Sequence, residues 1–159
     1  MQDLIIGSIP LGIAFLVSFI YYKKLEPKWL RLFSWFLLIT FLIQFGGYFY
    51  SYIFKKSNHF IFNILTFIEY EFYLLIFYKV LIKKPLKRLS LFINLLFILL
   101  YIYTVFFQNH FYLYSSLAGN IGDFLTLCCC ILYLSELLMI DEIVNYFTIA
   151  MFWITTGMI

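Results

Sequence analysis

Two carboxylates, Glu69 and Asp123, interrupt stretches of sequence that are otherwise apolar enough to lie in a bilayer. An acidic side chain in hydrocarbon is costly, and it is kept where it faces a bundle interior, a water-filled cavity or an ion path. Dry and unpaired, each is a candidate proton or cation site. Other polar residues recur around them at helical spacing. Asn63, Thr66, Tyr70 and Tyr73 share one helix face, with Glu69 on its flank. Gly119, Asp123, Thr126, Cys130 and Tyr133 share another, with Asn120 beside it, and Thr40, Gln44, Gly47 and Ser51 make a third.

Depth groups these residues further. At a rise of about 1.5 Å per residue, Glu69 lies about 13 Å and Asp123 about 10 Å below the outer ends of their helices. Gln44, Asn63, Thr66 and Asn120 fall in the same outer half. The expectation is that these six residues meet in one polar pocket, open or nearly open to the outside, that takes an ion or a ligand. The same groups equally serve a bundle as hydrogen bonds between helices, which needs no ligand. The sequence leaves both readings open.

The remaining polar groups are weaker candidates. Glu71 sits about 200° around the helix from Glu69, so one of the two faces away, against another helix or across a subunit interface. Glu136 lies near the inner end of its span, where its length lets it snorkel to the interface. His59 and His110 fall in the two outer loops, and a metal or pH-sensitive pair there lacks a third ligand. Cys128, Cys129 and Cys130 are adjacent in an apolar run, so they point in different directions around a helix. A disulfide within the trio is geometrically poor, and the residues read as packing. No metal or cofactor is expected.

Enzyme signatures are lacking: there is no His-Glu-x-x-His zinc motif and no Gly-x-Ser-x-Gly elbow. Gly119-Asn120-Ile121-Gly122-Asp123 resembles part of the Gly-Asn-x-x-Asp-Arg motif of lipoprotein signal peptidases, and Phe62-Asn63 resembles the start of their Phe-Asn-x-Ala-Asp motif. Phe124 replaces the arginine, Thr66 stands where the second aspartate belongs, and the motif order is reversed, so the aspartyl-protease reaction does not carry over. Phe152-Trp153-Ile154-Thr155-Thr156-Gly157, following Asn145, resembles the Phe-Trp-Ile-Ser/Thr-Thr-Gly motif near the last helices of small uncharacterised multipass bacterial membrane proteins. That resemblance implies a helical bundle of six or more spans and no activity.

The elements that would position these residues are set by hydropathy. Of 159 residues, 65% are hydrophobic and 12% charged, against the quarter charged of a soluble domain. About 20 apolar residues of helix cross the hydrocarbon. Spans are expected near 4–22, 30–50, 60–82, 89–107 and 116–140, with a shorter sixth over 143–159, all in one domain. The charged turns Lys23-Lys24-Leu25-Glu26-Pro27-Lys28 and Lys83-Lys84-Pro85-Leu86-Lys87-Arg88 separate them, each with a helix breaker. No cleavable leader is expected, because Gln2 and Asp3 precede the first span and the positive charge follows it.

Orientation follows from the basic residues. The first loop holds Lys23, Lys24, Lys28 and Arg31, and the third holds Lys83, Lys84, Lys87 and Arg88, whereas the second has Lys55 and Lys56 and the fourth none. Positive loops stay cytoplasmic, which puts the N-terminus outside. The net charge of +3 lies in these loops and is no nucleic-acid signature. Phe and Tyr number 21 and 14, and the AT-rich codons of Phe, Tyr, Ile, Lys and Asn point to an AT-rich bacterium. The expectation is an all-α polytopic bundle of five or six spans in a bacterial inner membrane. It is expected to be non-catalytic, its partners the lipid bilayer and a second copy or another membrane subunit. A small channel or complex-forming subunit leads, and a sensory or ligand-binding membrane module is the alternative.

Overall fold

The structure, a computed structural model, describes residues 2–26, 29–108, 112–139, 151 and 154–155. The described elements are helices: α1 (Gln2–Ile20), a short 3-10 turn (Tyr22–Lys24), α2 (Leu30–Phe54), α3 (His59–Val80), α4 (Lys84–Ile102) and α5 (Ser116–Leu138). The last turns of α4 widen into a π-helical segment, Tyr103–Gln108. Among the described residues, four helices are long and apolar enough to cross a membrane: α2, α3, α4 with its continuation, and α5. In α1 the apolar stretch is shorter, Ile9–Ile20. The expected sixth span lies outside the described residues apart from 151 and 154–155.

The chain divides into two compact units, Met1–Glu69 with Asn109–Tyr114, and Tyr70–Gln108 with Ser115–Ile159. In the first, α1 packs along α2. Gly12 faces Phe41, and a Cβ at position 12 would meet its ring at 3.4 Å, an ordinary contact. One turn and a half further on, buried Ser34 donates from Oγ to the Ser18 carbonyl at 3.4 Å. Gly12 and Ser18 thus lie on the face of α1 that meets α2, while Ala14 is exposed. The basic loop after α1 is pinned to the start of α2: Arg31 donates to the carbonyls of Leu25 and Lys23, at 3.4 and 3.2 Å, and lies over the Tyr22 ring.

Helix α2 ends at Lys55, whose left-handed backbone (φ 49°) breaks the hydrogen-bond ladder. Asn58 then ties the turn back by donating to the Gly47 carbonyl at 3.0 Å. Gly47 is buried where Ile61 and Phe62 approach it, and the Tyr48–Phe62 and Tyr50–Phe60 ring pairs extend that contact.

In the second unit α4 packs on α5. The helix α4 begins at Lys84, ahead of the expected start at Leu89. The reason is Pro85: read as a stop, it in fact occupies the first turn, where a missing N–H is no loss and the fixed φ suits a helix. Its inward face is Ser90, Ile93, Asn94, Phe97 and Tyr101, all buried. Facing it, α5 buries Ala118, Gly122, Leu125, Thr126, Cys129, Cys130, Tyr133, Glu136 and Leu137. Ser115 caps α5, accepting from the Ala118 N–H at 3.3 Å.

Every helix also exposes large apolar side chains, among them Leu16, Phe45, Phe49, Leu75, Phe92, Leu99, Phe124 and Ile131. In water such faces would drive aggregation. Against lipid tails they meet their own kind. Helix length, composition and these apolar faces mark a helical membrane protein.

Candidate functional site

In the second unit the phenol of Tyr70 on α3 donates to Asp123 Oδ1 on α5 at 2.6 Å. The bond depends on Gly122. A Cβ at that position would overlap the Tyr70 ring, so only glycine lets the ring lie against α5 and bring its hydroxyl to the neighbouring carboxylate. Phe97 of α4 supports the ring, centroid to centroid 5.7 Å. Asp123 and Asn120 are exposed on α5, off the line of residues that α5 buries. An accessible carboxylate at this depth is satisfied only by water, an ion or a polar partner; its phenol covers one oxygen.

Deeper polar groups link the same three helices. Asn94 of α4 donates to Glu71 Oε2 at 3.0 Å. Of the alternatives open for Glu71, contact with another helix is the one found. Its second oxygen, Oε1, is enclosed and has no hydrogen-bond partner, and the same holds for Thr126 Oγ1 on α5. Toward the next turn Ser90 and Cys129 meet at 3.9 Å, a long hydroxyl–thiol contact between α4 and α5.

Glu136 departs from expectation. It does not snorkel: the residue is 4% exposed, and its carboxylate accepts from the backbone N–H groups of Ile82 and Lys83, at 2.9 and 2.5 Å. These donors open α4, and no side chain of α4's own N-cap, Lys83, satisfies them. The acid of α5 therefore caps α4 from outside, taking the N-cap amide that the N3 Glu of a capping box would take.

The remaining expected site residues belong to the first unit. Asn63 is buried and donates to the Leu113 carbonyl at 2.8 Å, holding the segment that precedes α5. Gln44, Thr66 and Glu69 are partly buried on α2 and α3, and Thr40, one turn from Gln44, is buried with its hydroxyl unpartnered. His59 is exposed and lies near the Tyr114 ring, and His110 lies outside the described residues. Among the described residues no three His, Cys, Asp or Glu side chains gather as metal ligands would.

Sequence reasoning singled out Tyr70, Glu71 and Asp123 but missed Asn94 and Gly122, which set their contacts. Asn94 stood alone in a long apolar run, and the rotation of α4 that aims it at Glu71 is not encoded in that run. Gly122 entered only as part of the Gly119–Asp123 resemblance, yet glycine one position before a carboxylate in an apolar helix was the available signal. Compared with known proteins, the chain matches no family model, no curated protein and no solved structure.

Proposed function

We propose that the chain is a non-catalytic integral membrane module of a bacterial inner membrane, a small pore-like subunit that works within an oligomer or larger complex. Asp123 is the observation that carries this reading. It stands about 10 Å along α5 from Ser116, accessible, with a phenol on one oxygen. Lipid cannot solvate that group, so water or a polar partner must reach it in the membrane. Asn120, one turn earlier and also exposed, extends the polar strip toward the helix end.

The proposed topology has the N-terminus and the start of α5 outside. The clusters Lys23–Lys24 and Lys83–Lys84 with Lys87 and Arg88 support it, because basic turns are retained on the cytoplasmic side. The span count in this reading is five with α1, and six with 143–159. An Asn120→Cys variant, built with Cys128, Cys129 and Cys130 replaced by Ala, tests both parts. A membrane-impermeant maleimide should label it from outside intact cells. Labelling only from the cytoplasmic face would overturn the orientation, and none from either face would overturn the watered strip.

A further inference from the structure

We propose that Glu71, Asn94 and Thr126 form an interior site for a small cation, a proton or an alkali-metal ion, held on the Oε1 atom of Glu71. The site stands on hydrogen bonding and charge within the second unit and is independent of whether the chain conducts.

Several hydroxyls in these helices bond their own backbone, and buried Ser34 and Ser90 reach a neighbouring helix. Thr104 donates to the Leu100 carbonyl at 2.9 Å, Thr155 to Met151 at 2.8 Å, and Ser135 to Leu132 at 2.8 Å. Thr126 is 6% exposed and makes no such bond. Its enclosed hydroxyl has no hydrogen-bond partner. An orphaned hydroxyl is destabilising, and a bound partner would satisfy it.

The contacts of its neighbours show what it faces. Gly122, one turn before, lies against Tyr70 of α3, and Cys129, three residues after, meets Ser90 of α4. Thr126 sits between them on the same buried line of α5. Glu71 follows Tyr70 directly, and Asn94 is one turn along α4 from Ser90. Counting about 1.5 Å per residue from those two contacts brings Thr126, Glu71 and Asn94 to within a few ångströms of one level. The layer therefore holds an unpartnered carboxyl oxygen, an unpartnered hydroxyl and an amide that is 5% exposed.

Charge then defines the occupant. Asn94 gives Oε2 a neutral donor, which leaves the carboxylate's charge unmatched. No basic residue lies on α3 between His59 and Lys79, on α4 beyond Arg88, or anywhere on α5. The other titratable groups on the buried faces around it are Tyr70, Tyr101, Cys129, Cys130 and Tyr133, with Asp123 beside Tyr70 and Glu136 at the far end; none carries positive charge. Glu71 is half-buried with Oε1 enclosed, and an unmatched carboxylate charge there is destabilising. A proton on Oε1, or an alkali ion between Oε1 and Thr126 Oγ1, removes that cost. Both supply the same compact positive charge.

Infrared difference spectra of the full chain in nanodiscs, wild type against Glu71→Gln, test the site together with thermal melts in sodium, potassium or choline chloride. If the occupant is a proton, a protonated-carboxyl band at neutral pH is lost in Glu71→Gln and shifted in Thr126→Val. If it is an alkali ion, a carboxylate band appears, and sodium or potassium raises the melting temperature above choline in wild type but not in Thr126→Val. A carboxylate band with equal melts in all three salts overturns the proposal, as does a Thr126→Val protein identical to wild type in both readouts. Should Glu71→Gln fail to fold, spectra with the glutamates isotope-labelled, wild type against Thr126→Val, give the same decision.

Discussion

The ring of Tyr70 occupies the space that a side chain at Gly122 would fill, and from there its hydroxyl holds Asp123. A helix glycine thus fixes the position of a phenol from a different helix, and the phenol fixes a carboxylate in an apolar span. The two residues can be separated experimentally. Tyr70→Phe keeps the ring and removes only the bond, which for interhelical bonds in membranes is worth about 0.6–1.7 kcal/mol. Gly122→Ala drives a methyl into the ring, and overpacking of this kind costs about 1–3 kcal/mol. Unfolding in detergent should rank wild type, Tyr70→Phe and Gly122→Ala in falling stability. A Gly122→Ala protein as stable as wild type would contradict the close approach.

Glu136 is expected to act as the cap of α4. Glu136→Ala leaves the Ile82 and Lys83 N–H groups without an acceptor and should cost about 1–2 kcal/mol. Glu136→Gln keeps one acceptor oxygen and should fall between the two. Hydrogen exchange localises the effect: the amides of Ile82 and Lys83 should exchange faster in the Ala variant, while those of mid-α5 keep their protection. Uniform loss of protection along α5 instead would mean that Glu136 supports packing and not the cap.

Much of this arrangement was legible in the sequence, and the limits have physical causes. Hydropathy located α2 through α5, because about 20 apolar residues have few alternatives to a span. Pro85 misled, since a proline that reads as a helix breaker also fits the first turn of a helix. The stripe on α5 held for Thr126, Cys130 and Tyr133, which are buried, but not for Asp123 and Asn120, which are exposed. A face read from one helix alone ignores how its neighbours rotate it. Glu71 and Asn94 illustrate the same point, as neither lies on an expected stripe and their pairing exists only once α3 and α4 are set side by side.

The cysteine trio should be chemically uneven. Cys129 and Cys130 are wholly buried, and Cys128 is partly accessible. In the native protein maleimide should modify at most Cys128, and the Cys128→Ser variant should stay unlabelled until it is denatured. Rapid labelling of Cys129 in the folded Cys128→Ser protein would contradict the packing of α5 against α4, because Cys129 is the residue that meets Ser90.

If Asp123 serves the passage of ions in the proposed pore-like subunit, monovalent-cation flux through the purified chain in liposomes depends on its charge. Asn at position 123 keeps the size of the side chain and an oxygen to accept from Tyr70, and removes the charge. Wild-type proteoliposomes should pass cations above the level of empty liposomes, and Asp123→Asn should lower that flux or abolish its pH dependence with helix content unchanged. Flux no greater than in empty liposomes, or identical flux in wild type and Asp123→Asn, would contradict the account.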